Sequence, residues 1–302
     1  MNKPVLLLIA TGVGLGVNFP LGKLAVAAGI SPAIWAAYIS LAAGLALAVI
    51  ARFSDEQSVR PKGLWRFAVI SGFISFVMPN LLTYTLIPKI GSGLTGMMFA
   101  LSPIATALLS LAMGVRPPNR ASLAGIFLGL VGAATIIFGK DPQAAAGISW
   151  WLILALTIPL FLALGNVYRT SAWPTGASPR LLASLTNLAA VPFLLGASLV
   201  INGTIAIAPA FHAPGLMVVQ LAVSTFMFLM FFRLQQIGGP TYLSQIGYVA
   251  AGVGLAIGVS FMGEVYPLSV WLGAAIIAAG IAISTFAQRG SAATKAGVKS
   301  LE

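Results

Sequence analysis

Asn18, Pro20 and Lys23 share one long apolar run, and Asn166, Tyr168 and Arg169 share another at nearly the same spacing. An amide or a cation inside such a run is expensive unless it meets a helix, water or a solute. Groups of this kind can hold a polar solute or a carboxylate, but they have no means of cleaving a bond. Asn18 and Asn166 have two readings, as bonds between helices or as the lining of a path. Lys23 and Arg169 are expected to snorkel to opposite interfaces. They are also the only cations placed to meet a carboxylate.

Further polar positions interrupt other runs. Asn80 and Tyr84 stand at i and i+4 and share a helix face. Pro79, just before them, removes a backbone donor and bends a helix. Met97-Met98-Phe99 precedes Ser102-Pro103, and thioethers with a ring suit an organic solute that has an apolar part. The candidate substrate path is therefore Asn18, Asn80, Tyr84, Met98, Ser102, Asn166, Tyr168, Gln245 and Tyr248. Pro20, Pro79 and Pro103 are candidate kink sites for gating.

Catalytic and metal chemistry find no residues to carry them. The acidic side chains are Asp55, Glu56, Asp141, Glu264 and Glu302, and none falls near the middle of an apolar run. Glu264, at one end of the ninth run, is expected to face water, as is His212 in a loop. There is no cysteine, so thiolate sites are excluded. No H-E-x-x-H or G-x-S-x-G stands in a run. Gly16 to Gly22-Lys23 has the wrong glycine spacing for a phosphate loop, and no Ser or Thr follows the lysine. We expect no enzyme activity, no metal and no cofactor.

The elements that must position these residues are membrane helices. The chain of 302 residues is 59% hydrophobic and 7% charged, with a mean hydropathy of +1.01. Soluble domains carry about a quarter charged residues. Ten runs approach the roughly 20 apolar residues that span a bilayer: 4–28, 33–51, 64–87, 92–114, 121–138, 149–172, 180–201, 214–235, 239–263 and 267–287. Most joints carry breakers such as Pro61-Lys62-Gly63 or Gly238-Gly239-Pro240. The opening run is read as a span rather than a signal peptide, because its removal would leave nine.

Orientation follows from the loops. With the N-terminus cytoplasmic, the inner side holds all of the 16 basic residues except Lys23, Lys89 and Lys140, as the positive-inside rule requires. The net charge of +11 thus reports topology and not nucleic-acid binding. All six tryptophans fall at span ends, where an indole settles at headgroup level.

The chain also repeats. Shifted by 147 residues, Ser31-Pro32 lands on Ser178-Pro179 and Ile90-Gly91 on Ile237-Gly238. Each half holds five runs, so the second copy must be inverted, a common plan of secondary transporters. We divide the chain into a first repeat at 1–140, a second at 146–289 and a cytoplasmic tail at 290–302. The expected fold class is all-α, with ten transmembrane helices in two inverted five-helix repeats and both termini cytoplasmic.

Several stretches resemble those of the drug/metabolite transporter superfamily, in particular carriers with paired EamA-type domains. Gly16-Val17-Asn18-Phe19 through Lys23-Leu24-Ala25 looks like that family's opening segment. Ile90 through Gly114 resembles its fourth span, and Gly125 through Gly132 its fifth. Met262-Gly263-Glu264 with Pro267 resembles its Gly-Glu turn, whereas the first half has Gly114-Val115-Arg116 at that place. The resemblance implies a basket of ten helices with a cavity lined by spans 1, 3, 4, 6, 8 and 9. It also implies export of small metabolites by alternating access. The expected function is export of amino acids, aromatic or otherwise apolar, across the inner membrane by a multi-pass carrier. A nucleotide-sugar or other anionic metabolite carrier and a passive channel are the alternatives. The partners are a small-molecule substrate and the lipid bilayer; the oligomeric state is left open, and a monomer is compatible with the sequence.

Overall fold

The computed structural model describes residues 3–53, 62–112, 150–280 and 282–283, with scattered helical positions between 124 and 135. Most of the fifth expected span and the whole tail at 290–302 lie outside the described residues. Among those described, all regular structure is helical, as it must be where hydrocarbon leaves backbone groups no other partner. Seven helices are long and apolar enough to cross a membrane, and two shorter apolar helices, Ile246–Phe261 and Leu268–Gly280, accompany them.

In order these are α1 (Lys3–Ala27), α2 (Pro32–Arg52), α3 (Leu64–Gly72), a π-turn (Phe73–Val77) and α4 (Met78–Ile90). Then come α5 (Ser92–Phe99), α6 (Ser102–Ala112), α7 (Trp150–Ala155), α8 (Thr157–Ser171) and α9 (Pro179–Asn202). The last are the short α10 (Ala208–Phe211), α11 (Pro214–Ser244), α12 (Ile246–Phe261) and α13 (Leu268–Gly280).

Local sequence sets the helix starts and interruptions. The Ser31 hydroxyl accepts from the Ile34 amide and Ser178 from the Leu181 amide, each with a proline at the next position. These two equivalent caps launch α2 and α9, which pack on each other. Three spans are interrupted just ahead of a proline: the π-turn before Pro79, Ala100-Leu101 before Pro103, and Leu156 before Pro159. Each ring removes the donor that the carbonyl four residues back would use. Proline alone does not suffice, since α1 stays helical through Pro20 and α9 through Pro192.

Two expectations need correction. The Gly238-Gly239-Pro240 joint keeps helical backbone, and α11 ends instead at Ser244 with Gln245 as the break before α12. Trp35 does not sit at a headgroup: it is fully buried and stacks on Tyr38 at 5.9 Å. Trp65, Trp150 and Trp271 remain exposed, as expected of interfacial indoles.

α1 runs between α11 and α12, while α12 also packs on α5 and α6 packs on α8. Small residues permit this closeness. A Cβ on Gly16 would stand 2.8 Å from the Ala250 carbonyl oxygen of α12, and one on Gly247 would strike the Phe99 carbonyl oxygen. The outward surface is apolar, with side chains such as Val49, Val200 and Phe261 more than half exposed. So much bare apolar surface suits lipid rather than water.

Candidate functional site

The carbonyl that Pro103 leaves without its usual donor is that of Phe99, and it abuts Gly247. Two interrupted spans, α5/α6 and α11/α12, therefore meet backbone to backbone. A cavity of about 60 Å³ opens beside this crossing. It is lined by Leu15 of α1, by Ser75, Phe76, Pro79 and Asn80 around the π-turn, and by Phe99 and Ser102. The rest of the wall is Leu162, Asn166 and Arg169 of α8, Met227, Phe228 and Phe231 of α11, and the stretch Leu243, Ser244, Ile246 and Gly247. These come from the six spans that the family resemblance implies. The space suits about four waters.

Arg169 is the cation of this wall. It is 1% exposed, which corrects the expectation that it snorkels to an interface. Its Nη2 donates to Asn166 Oδ1 at 2.8 Å and its Nε to Gln235 Oε1 at 3.2 Å. Gln235 in turn donates to Thr170 Oγ1 at 2.7 Å, tying α11 to α8. The guanidinium lies over the Phe231 ring, 4.9 Å from its centroid, a cation–π arrangement. Asn166 also donates to Thr106 Oγ1 at 3.4 Å, linking α8 to α6.

Lys23, one-third exposed, ties together one end of the bundle. Lys23 Nζ lies 2.8 Å from Glu264 Oε1 and donates also to the Met262 carbonyl at 3.2 Å. The same carboxylate accepts from the Ser92 amide and hydroxyl at 2.8 and 2.7 Å and from the Gly93 amide at 3.0 Å. Tyr266 donates to Oε2 at 2.6 Å. The Glu264 side chain is 7% exposed, so the expectation that it faces water is wrong. Gly258 makes the room, since a Cβ there would stand 2.5 Å from Oε2. Burial pushes the Glu264 pKa up, but Lys23, Tyr266 and the two backbone amides outweigh it and bring it down to about 2. The same burial, with the neighbouring carboxylate, raises that of Tyr266.

Of the candidate path residues, the structure brings Asn80, Ser102 and Asn166 together on the cavity wall, with Pro79 beside them. The others stand elsewhere. Asn18 donates to the Gly14 carbonyl at 2.7 Å and accepts from Gln220 at 2.5 Å, joining α1 to α11. Tyr84 packs its ring on Gly22, and Met98 is buried in the core. Tyr168 stacks on Phe67 at 5.9 Å; Gln245 forms the break before α12; Tyr248 packs against the core and not on the wall. Ser75, Phe76, Phe228 and Phe231 were missed, because a phenylalanine, or a serine without the adjoining proline that marks Ser102, does not stand out within an apolar run. The interruption ahead of Pro79 was the signal that could have found Ser75.

With this geometry in view, residues 2–138 match the EamA-like transporter family. The chain carries an EamA-like transporter domain. Residues 2–138 are thus similar to EamA-like transporters, and the seven long apolar helices fit an integral, multi-pass membrane protein. The family is one of small-molecule transporters. A solved structure described only as the crystal structure of a protein aligns with 94% of this chain and 96% of its own, at a TM-score of 0.65 and 14% identity. That likeness concerns the fold alone. No curated protein matches the chain.

Proposed function

We propose that this EamA-type carrier exports amino acids with aromatic or other apolar side chains across the inner membrane by alternating access. One observation carries the reading: a small cavity with an aromatic wall and one buried guanidinium lies where two interrupted spans meet. Interrupted helices around a central site are how many secondary carriers expose backbone to a solute without exposing it to lipid. The Lys23–Glu264 clasp closes the end that the positive-inside pattern assigns to the outside. In this reading the chain has ten spans in two inverted repeats, 1–140 and 146–289, with both termini cytoplasmic. The matched caps at Ser31 and Ser178 and the pairing of α2 with α9 support the repeat. Asn80, Ser102 and Asn166 contact the solute, and Pro79 and Pro103 mark the hinges.

A nucleotide-sugar carrier would need several cations for its phosphates, and Arg169 is the single cation among the described cavity-lining residues. The test is uptake of a panel of labelled amino acids into proteoliposomes, with unlabelled competitors. Competition by phenylalanine and leucine, but not by nucleotide sugars, is expected. Uptake blocked by nucleotide sugars alone would overturn the proposed substrate class.

A further inference from the structure

Two buried polar atoms on the cavity wall have no hydrogen-bond partner among the described residues: Arg169 Nη1 and Ser75 Oγ. Both lie against Gly165. A Cβ built on Gly165 would stand 3.1 Å from Arg169 Nη1 and would collide with Ser75 Oγ. Three elements thus converge there: α8 supplies the guanidinium, the π-turn supplies the hydroxyl, and Gly165, lacking a side chain, lets the two lie against it. π-turns often occur at functional sites, and here the turn sets Ser75 against α8.

The rest of the guanidinium is already engaged. Nε and Nη2 are held by Gln235 and Asn166, and Phe231 covers one face. The head is therefore fixed, with Nη1 left over. Among the described residues no carboxylate pairs with it. A buried cation without a counter-ion is costly, and an orphaned hydroxyl beside it adds to the cost. An incoming anion would relieve both.

We infer that Arg169 Nη1 and Ser75 Oγ form the anchor for a substrate carboxylate, so that a free carboxylate is required for recognition. This deepens the carrier reading and rests on it. A carboxylate oxygen can accept from both groups at once, and bonds to a charged donor are the strong kind. The apolar remainder of the substrate then lies against Phe76 and Phe228, whose rings meet edge-on at 4.8 Å.

The test is thermal unfolding of the purified full-length protein in detergent, titrated with matched pairs: phenylalanine against phenylalaninamide, and leucine against leucinamide. We expect a saturable stabilisation by a carboxylate member and none by its amide. Ser75→Ala removes only an unpartnered hydroxyl, so the ligand-free midpoint should hold while apparent affinity falls by about tenfold. Gly165→Ala drives a methyl against Ser75 Oγ and Arg169 Nη1 and should abolish the response, as should Arg169→Gln if that variant folds. Stabilisation by neither carboxylate, equal stabilisation by the amides or by chloride, or an unchanged affinity in Ser75→Ala would overturn the anchor. The two readings fail separately: transport of amides would sink the anchor and spare the carrier. Saturable carboxylate binding without flux would do the reverse.

Discussion

Lys23 Nζ stands 2.8 Å from Glu264 Oε1, across 241 residues of chain. This pair links α1 to the segment after α12, and Ser92 and Gly93 draw the start of α5 into the same knot. In the proposed carrier cycle, these bonds part when this end of the bundle opens.

Glu264→Gln should loosen the clasp, because Lys23 then faces a neutral amide. The chain has no cysteine, so a single cysteine at Ser102 reports access to the cavity cleanly. Its modification by a membrane-impermeant thiol reagent added outside should quicken about tenfold in the Glu264→Gln background, the size of one charge-assisted bond. An unchanged rate would remove the clasp from the gate.

The pH response of the clasp has a definite sign. Glu264 is held down to about 2 in the closed form, while an exposed glutamate titrates near 4.3. Its contribution is therefore fully present above about pH 4.3 and is lost as pH falls toward 2. Thermal stability should show an acid limb below about pH 4.3 that disappears in Glu264→Gln. The variant should show no corresponding change between pH 5 and 8.

Gly247→Ala should destabilise the fold, since the new methyl meets the Phe99 carbonyl oxygen and forces the two interrupted spans apart. The expected cost is about 1–3 kcal/mol. Gly252→Ala, five residues on, has nothing within 4 Å and should gain up to about 1 kcal/mol from helix propensity. Unfolding midpoints of the two variants make the comparison.

Asn18→Leu strands the Gln220 amide that now donates to Asn18, at a cost on the order of 1 kcal/mol. Adding Gln220→Leu should recover part of that loss. If the double variant is no better than the single, the two side chains are not coupled in the way the hydrogen bond implies.

The helical plan was legible because hydropathy and span length speak directly about a bilayer. The site was legible only where one residue type is conspicuous inside an apolar run, as at Asn80, Ser102 and Asn166. Arg169 was misjudged, and the partner of Lys23 missed, for one reason: a lone cation in an apolar run snorkels unless something distant meets it. Glu264 lies 241 residues from Lys23, and Gln235 lies 66 from Arg169, so neither partner shows in local sequence. Tyr84 and Tyr168 misled in the opposite way, since a tyrosine in a span can fill core as readily as a path. Pro20, Pro79 and Pro103 looked alike, yet only the last two accompany interruptions.

Counterflow tests the central claim most directly. Proteoliposomes loaded with unlabelled phenylalanine are diluted into a trace of the labelled compound, and internal label is followed with time. A carrier that alternates access predicts a transient accumulation above equilibrium, abolished by an excess of external unlabelled phenylalanine. A monotonic rise to equilibrium, unselective and without any overshoot, would contradict alternating access and mark the protein as a passive channel.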